Sequence, residues 1–148
     1  MHYEVSLRFR APWRSLANAA GASARDALTH QRAARGSLTV VLEGEPGMRR
    51  LHRTFAGEDS LTDVLSFPDG SQDTETGSRY FGDIIICIPV ARRQARRAGH
   101  SLESEVRLLT VHGVLHLLGF DHDHPSGRSR MWAVQEAVLG VQPGPRKP

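Results

Sequence analysis

The sequence predicts an α/β domain in which a small central four-stranded sheet, mixed but mostly parallel, is packed with helices. Short apolar runs typical of strands alternate along the chain with stretches of helical periodicity, which is the pattern of a layered α/β fold. A length of 148 residues suffices for one such domain and is too short for two ordinary ones. We therefore expect a single domain over residues 1–140 and a flexible tail over residues 141–148, where proline and glycine oppose regular structure.

Four segments have the patterns of strands. The first alternates apolar and polar residues as a half-buried strand does, and the other three are short apolar runs, some rich in β-branched residues. These predicted strands cover residues 3–9, 38–42, 64–67 and 84–88. The polar, glycine-bearing segment 69–79 is expected to be an exposed loop.

Four helices are predicted between and after these strands. Apolar residues recur at helical spacing over residues 12–35, and Pro89 fits the first turn of a helix that follows the last strand. Ser101 is suited to cap the next helix, the central one, which should run to Leu118. A last helix covers about residues 127–139.

The composition bounds the class of protein. Hydrophobic residues make up 39% and charged residues 24%, as in a soluble globular protein. No apolar stretch approaches the roughly 20 residues of a membrane helix, and the start of the chain lacks the pattern of a secretory signal, so a cytoplasmic protein is expected. Cys87 is the single cysteine, which excludes an internal disulfide and a thiolate zinc cluster. The net charge of +3 favours an anionic partner only weakly, because an arginine-rich chain can also reflect genomic composition.

The segment from Val111 to His122 carries the strongest chemical signal. His112 and His116 are four residues apart on the central helix, so their imidazoles share one face and can bind one ion. Gly119 is suited to the left-handed turn that ends a helix, which lets His122 approach the same ion. Three histidines leave the fourth tetrahedral position for water, as in catalytic zinc sites. We predict one Zn2+ ion bound by His112, His116 and His122 at the C-terminal end of the central helix; a chance pair of histidines on an exposed helix is the alternative.

The spacing of the three histidines matches the metzincin protease pattern H-E-x-x-H-x-x-G-x-x-H with one difference. Gly113 replaces the glutamate that serves those proteases as general base. A peptidase would need another base, such as Glu105 or Asp63, so the sequence argues against proteolysis. Two neighbours are weaker candidates for the site: His124 as an alternative ligand, and Asp121 as a partner that fixes an imidazole tautomer.

The segment H-G-x-L-H-L-x-G-F-D-H at residues 112–122 resembles the signature of the YbeY endoribonuclease family, the rRNA maturation factors. Further similarity lies in T-D-V-L-S-F-P at residues 62–68 and G-D-I at residues 82–84, and the resemblance extends over roughly residues 40–122. It implies a small metallohydrolase domain in which the three histidines bind zinc.

One position of this chain departs from the pattern of the family that it resembles. Many members have an arginine after an aromatic residue shortly before T-D-V-L-S-F, whereas here Ala56 follows Phe55. An arginine there would hold a phosphate or stabilise developing charge. Arg49, Arg50 and Arg53 are the candidates to substitute, and Arg53 is taken as the candidate catalytic residue.

The resemblance also implies an activity and partners. The activity is single-strand-specific cleavage of ribosomal RNA, with roles in 16S rRNA 3′-end maturation and late ribosome quality control. The partners are the small subunit and ribosomal protein or GTPase partners. No association with a membrane is expected. Either a zinc-activated water or the RNA 2′-hydroxyl would be the nucleophile.

Two other functions are the alternatives to an endoribonuclease: a zinc-stabilised ribosome-assembly factor with little catalysis and, less favoured, a peptidase-like hydrolase. With two Trp, two Tyr and five Phe, no aromatic stacking platform is evident, so backbone contacts and shape are expected to dominate RNA recognition.

Overall fold

The computed structural model of the protein describes residues 2–120 and 125–140. Within these ranges four strands and five α-helices follow one another along the chain, with a short 3-10 turn at Ala11–Trp13. The strands are β1 (Tyr3–Arg8), β2 (Gly36–Glu43), β3 (Val64–Pro68) and β4 (Arg79–Cys87). The helices are α1 (Arg14–His30), α2 (Glu45–Ala56), α3 (Ile88–Ala98), α4 (Leu102–Leu117) and α5 (Pro125–Leu139).

The four strands form one sheet in the order β1-β2-β4-β3. β1 pairs with β2 and β2 with β4 in parallel, whereas β3 pairs antiparallel with β4, from Val64 opposite Ile86 to Pro68 opposite Gly82. The predicted α/β fold with a mixed, mostly parallel four-stranded sheet is therefore confirmed. β3 is an edge strand although it precedes β4 in the chain.

One face of the sheet, here called the covered face, carries most of the core. Alternate residues of β2 and β4 point to this side, helices α1 and α4 pack on it, and α5 packs against these two helices. Helix α1 approaches closely because its inward positions are alanines, which are almost completely buried. The strand residues of this core include Leu38, Val40, Leu42, Ile84 and Ile86.

The opposite face, here called the open face, is only partly covered. Its buried cluster consists of Met48 on α2 together with Ile85 and Cys87 on β4. Other strand residues on this side, such as Thr39 and Asp83, are polar and retain partial exposure. Helix α2 therefore covers one end of the face and leaves a cavity beside it.

The predicted element boundaries were mostly close, with two differences. Helix α2 was not predicted, because its sequence contains Pro46 and Gly47, two residue types that oppose helix formation in the interior of a helix. Here both lie near the start, where Pro46 is tolerated in the first turn, and Gly57 ends the helix in the left-handed conformation. Strand β4 begins at Arg79, within the segment predicted as a loop, and ends at Cys87, so that Ile88 is already helical. The remainder of that loop is exposed as predicted.

The other helices agree with the sequence predictions to within a few residues. Helix α4 begins directly after Ser101, whose side chain accepts a hydrogen bond from the backbone N–H of Ser104 at 3.1 Å. Helix α1 ends at His30, five residues before the predicted end. The predicted tail at residues 141–148 lies outside the described residues, and the extent of the domain stays a prediction. No helix in residues 2–120 and 125–140 has the length and apolar character needed to cross a membrane.

Candidate metal centre

Helix α4 brings the first two predicted ligands together on one face. The Nε2 atoms of His112 and His116 lie 3.1 Å apart, with the ring centroids 4.7 Å apart and the ring planes inclined at 66°. Both side chains are partly buried. Two nitrogens that each lie 2.0–2.1 Å from one tetrahedral zinc ion would be about 3.3 Å apart. The observed separation of these two histidines therefore fits shared binding of one zinc ion.

The third predicted ligand, His122, lies outside the described residues, as do Asp121 and His124. No group of three or more potential metal ligands occurs among the residues that the structure describes. The chain does turn where the sequence predicted: Gly119 has φ 94°, and the Phe120 N–H donates to the Leu115 carbonyl at 3.0 Å. The binding of zinc and the role of His122 stay predictions.

Gln135 on α5 is a neighbour of the site that the sequence did not reveal. Its Oε1 lies 3.2 Å from His112 Nδ1, and the side chain is only 4% exposed. When Nδ1–H donates to this oxygen, the lone pair of His112 is left on Nε2, the atom that faces His116. Gln135 and His112 are 23 residues apart on different helices, so no local pattern connects them.

A cavity of about 340 Å³ adjoins the histidine pair and is lined on its other side by residues 62–66, the start of β3 and the turn before it. Thr62 and Ser66 contribute hydroxyl groups to this wall. The cavity is therefore bounded by two imidazoles on one side and by hydroxyls and the Asp63 carboxylate on the other.

A hydrogen-bond network that includes the buried Glu105 supports this wall. Asp63 Oδ1 accepts from the Val64 N–H at 2.8 Å. With its amide nitrogen facing the two carboxylates, Gln94 donates to Asp63 Oδ2 at 3.2 Å and to Glu105 Oε2 at 3.0 Å. Glu105 is fully buried, and its Oε1 lies 2.6 Å from His100 Nε2. Asp63 and Glu105 are thus held by structural contacts, and Glu105 is not among the residues that line the cavity.

Gly113 is the position at which the metzincin pattern has its glutamate, and the packing explains the difference. A Cβ atom added to Gly113 would lie 2.8 Å from Cγ2 of Ile84 on β4. Helix α4 therefore packs directly against the sheet at this point, with no space for a longer side chain. The general base of a metzincin protease has no room at this position.

The three candidate arginines lie on α2 and are exposed. Arg53 is in the last turn of that helix, and neither it nor Arg49 or Arg50 is among the described residues that line the histidine cavity. The structure does not bring Arg53 together with His112 and His116, and its catalytic role stays a prediction.

Comparison with known proteins places the chain in a family. The family model described as Endoribonuclease YbeY matches residues 7–141. The protein named Endoribonuclease YbeY from Pseudarthrobacter chlorophenolicus is 44% identical over 107 residues, covering 69% of this chain and 68% of its own. The one from Beutenbergia cavernae is also 44% identical over 107 residues, covering 69% of this chain and 71% of its own.

A solved structure shares the fold. The solution structure of TM1509 from Thermotoga maritima superposes with a TM-score of 0.64 at 23% sequence identity, covering 96% of this chain and 99% of that one. The match of the family model over most of the sequence, together with these relatives, shows that the chain belongs to the YbeY endoribonuclease family.

Proposed function

We propose that the protein is a zinc-dependent, single-strand-specific endoribonuclease that acts in 16S rRNA 3′-end maturation and late ribosome quality control in the cytoplasm. The family supports the general activity, an endoribonuclease that hydrolyses RNA. The observation that supports zinc dependence is the 3.1 Å approach of the His112 and His116 Nε2 atoms beside a cavity. His122 is proposed as the third ligand.

The residues of the chain have separate tasks in this proposal. Gln135 fixes the orientation of His112, so that its Nε2 is available to the ion. Thr62 and Ser66 line the opposite wall, where their hydroxyls can donate to the non-bridging oxygens of a phosphodiester. A zinc ion bound there would supply positive charge to the phosphate as negative charge develops in the transition state.

Electrostatics provide a second contribution to RNA binding. Helix α3 carries an exposed row of arginines, of which Arg93 pairs with Glu45 at 3.0 Å. Guanidinium groups bind phosphates through two parallel hydrogen bonds, and phosphate contacts of this kind weaken as salt increases. The row consists of Arg92, Arg93, Arg96 and Arg97.

The test is cleavage of single-stranded rRNA fragments by the zinc-loaded protein. His116→Ala should reduce cleavage to the background rate and lower zinc binding, whereas His30→Ala, an exposed histidine at the end of α1, should leave both unchanged. The product ends identify the nucleophile, because a 2′,3′-cyclic phosphate requires attack by the RNA 2′-hydroxyl. If the wild type binds zinc and leaves all fragments intact, the nuclease assignment fails.

A second candidate function is a zinc-stabilised assembly factor that binds the small subunit, with ribosomal protein or GTPase partners, and catalyses little. It is favoured by Ala56, which ends α2 where many members have arginine, and by the exposed position of Arg53. In that case chelation should lower thermal stability while RNA binding remains salt-dependent, and no fragment should be cleaved. A peptidase is not supported, because Gly113 has no room for a base.

A further inference from the structure

A second cavity, of about 900 Å³, lies on the open face of the sheet and is here called the open-face cavity. Its floor is formed by apolar residues of β2 and β4, including Val41 and Ile85. Strand β3 separates it from the histidine cavity: Ser66 lines the histidine cavity, and its neighbour Phe67 lines the open-face cavity. Since consecutive strand residues point to opposite faces, the two cavities lie on the two sides of one edge strand.

The open-face cavity has an aromatic wall. Phe55 on α2 and Phe67 on β3 line it, with ring centroids 5.0 Å apart and planes inclined at 55°. Phe55 is 64% exposed, which is a large apolar surface to leave in water at the edge of a cavity. A flat aromatic ligand would cover this surface by stacking.

Polar groups line the same cavity. The Tyr80 hydroxyl donates to Asp83 Oδ1, and Thr39 Oγ1 lies 2.7 Å from that hydroxyl. This arrangement orients the Asp83 carboxylate, and an ionised carboxylate has further lone pairs for ligand donors. Glu43 adds a second carboxylate to the lining. The polar part of the cavity is therefore rich in acceptors, which favours a ligand that presents N–H groups.

Arginines line the same cavity from β1 and the residues that follow it. Arg8 and Arg10 both line it and are exposed to solvent. The Arg10 guanidinium lies 4.2 Å from the centroid of the Trp13 ring, which limits its freedom. Positive charge that adjoins an apolar, acceptor-rich cavity matches a ligand that joins an aromatic base to a phosphate.

We propose that the open-face cavity binds an unpaired guanine of the RNA strand whose phosphodiester lies at the histidine cavity. Guanine is the base whose Watson–Crick edge presents two adjacent donors, N1–H and the N2 amino group, and these match a single carboxylate such as that of Asp83. The base stacks on Phe55, its phosphate meets Arg8 and Arg10, and the strand passes over the edge of β3. This inference rests on the proposed function, since it assigns a specificity pocket to the same RNA substrate.

The first experiment measures binding of the four nucleoside 5′-monophosphates to the full-length protein by calorimetry. Guanosine 5′-monophosphate should bind about tenfold more tightly than the other three. Phe55→Ala should weaken binding of all four by about 5- to 160-fold, the loss typical of a stacking contact. Asp83→Asn, which keeps an oxygen to accept from Tyr80, should remove the preference for guanine. Trp132→Ala removes the other exposed large aromatic side chain among the described residues and should change nothing.

The second experiment places the base within RNA. Non-cleaving His116→Ala protein is titrated with a single-stranded oligouridine that contains one guanosine, and with the same strand containing inosine, which lacks the N2 amino group. Tighter binding of the guanosine strand, lost when Phe55→Ala is added, supports the proposal. Equal binding of the two strands overturns it, and if the free monophosphate alone shows the preference, the site is a free-nucleotide pocket instead.

The two proposals can fail separately. If the wild type cleaves rRNA while guanosine 5′-monophosphate binds no better than the other nucleotides, the guanine pocket is wrong and the nuclease assignment stands. If guanosine-dependent RNA binding is observed but no fragment is cleaved, the pocket stands and the nuclease assignment is wrong. Thermal unfolding of each variant shows whether a loss of binding reflects a loss of folding.

Discussion

The two faces of the sheet are built differently from the same strands. On the covered face, apolar residues of β2 and β4 meet helices α1 and α4, and Gly113 allows α4 to approach Ile84 directly. On the open face, the alternate residues of the same strands include Thr39 and Asp83, and α2 leaves a cavity of about 900 Å³. The difference indicates that the covered face stabilises the fold and positions the histidines, whereas the open face retains polar groups that packing does not require.

The largest expected effect compares two neighbours on β4 that point to opposite faces. Ile84 is fully buried against α4, and Ile85 is 4% exposed and lines the open-face cavity. Ile84→Ala should lower the free energy of unfolding by about 4 kcal/mol and Ile85→Ala by about 2 kcal/mol, because water can enter beside Ile85 but not beside Ile84. Urea denaturation measures both. Equal losses would show that the two faces contribute alike to stability.

The second prediction concerns the close contact on the covered face. Gly113→Ala should destabilise the protein by about 1–3 kcal/mol, because the added methyl group would lie 2.8 Å from Ile84. Gly21→Ala on α1 is the matched control: its Cβ would meet Leu7 at an ordinary 3.4 Å, and helix propensity should add up to about 1 kcal/mol of stability. If both substitutions had the same sign, close packing of α4 would not be the reason for Gly113.

The third prediction concerns the support of His112 by Gln135. Gln135→Leu should weaken zinc binding by about 10- to 100-fold, because the imidazole loses the acceptor that fixes its orientation. Gln135→Glu retains an acceptor and should restore most of the affinity, and Glu136→Gln, at the exposed neighbouring position, serves as the control. Competition with a zinc chelator gives the affinities without any assay of cleavage. Unchanged affinity in Gln135→Leu would remove Gln135 from the site.

The smallest expected effect is a loss of stability at alkaline pH that arises from two residues on the open face, Cys87 and Tyr80. Burial raises the pKa of the Cys87 thiol above 9.0, and burial together with Asp83 raises the pKa of Tyr80 above 10.0. The folded protein therefore retains these protons more strongly than the unfolded chain. The stabilisation is complete below pH 9 and decreases as the pH rises above these values. Tyr80→Phe should flatten the part of this decrease above pH 10, as measured by urea denaturation across a pH series; an unchanged slope would contradict the prediction.

Much of the fold was predictable because its signals are local. The strands of the covered face are apolar runs, and the cap at Ser101 and the turn at Gly119 depend on residues a few positions apart. Helix α2 was missed because its start contains Pro46 and Gly47, although Pro46 in the first turn and Gly57 after the end are a recognisable pair of signals. At Gly47 a side chain would meet only the Glu43 carboxylate, the far end of a flexible side chain that can move aside, so the packing does not require a glycine there.

The candidate site was predictable only in part, for a related reason. Spacing on one helix was enough to pair His112 with His116, and the geometry of the folded chain agrees. Gln135 reaches His112 from another helix, and Phe55 meets Phe67 only after α2 folds over the open face. No aromatic stacking platform was evident from the count of aromatic residues, because an exposed ring beside a cavity depends on tertiary placement.

The strand order has a consequence for the time at which the site forms during synthesis. β3 emerges from the ribosome before β4, the strand with which it pairs. The wall of the histidine cavity at residues 62–66 therefore cannot form until β4 has been translated. The histidine pair and Gln135 emerge later still. A nascent chain that is missing its last helix therefore lacks the contact from Gln135 to His112, and the proposed site would be complete only when nearly all of the described sequence has been translated.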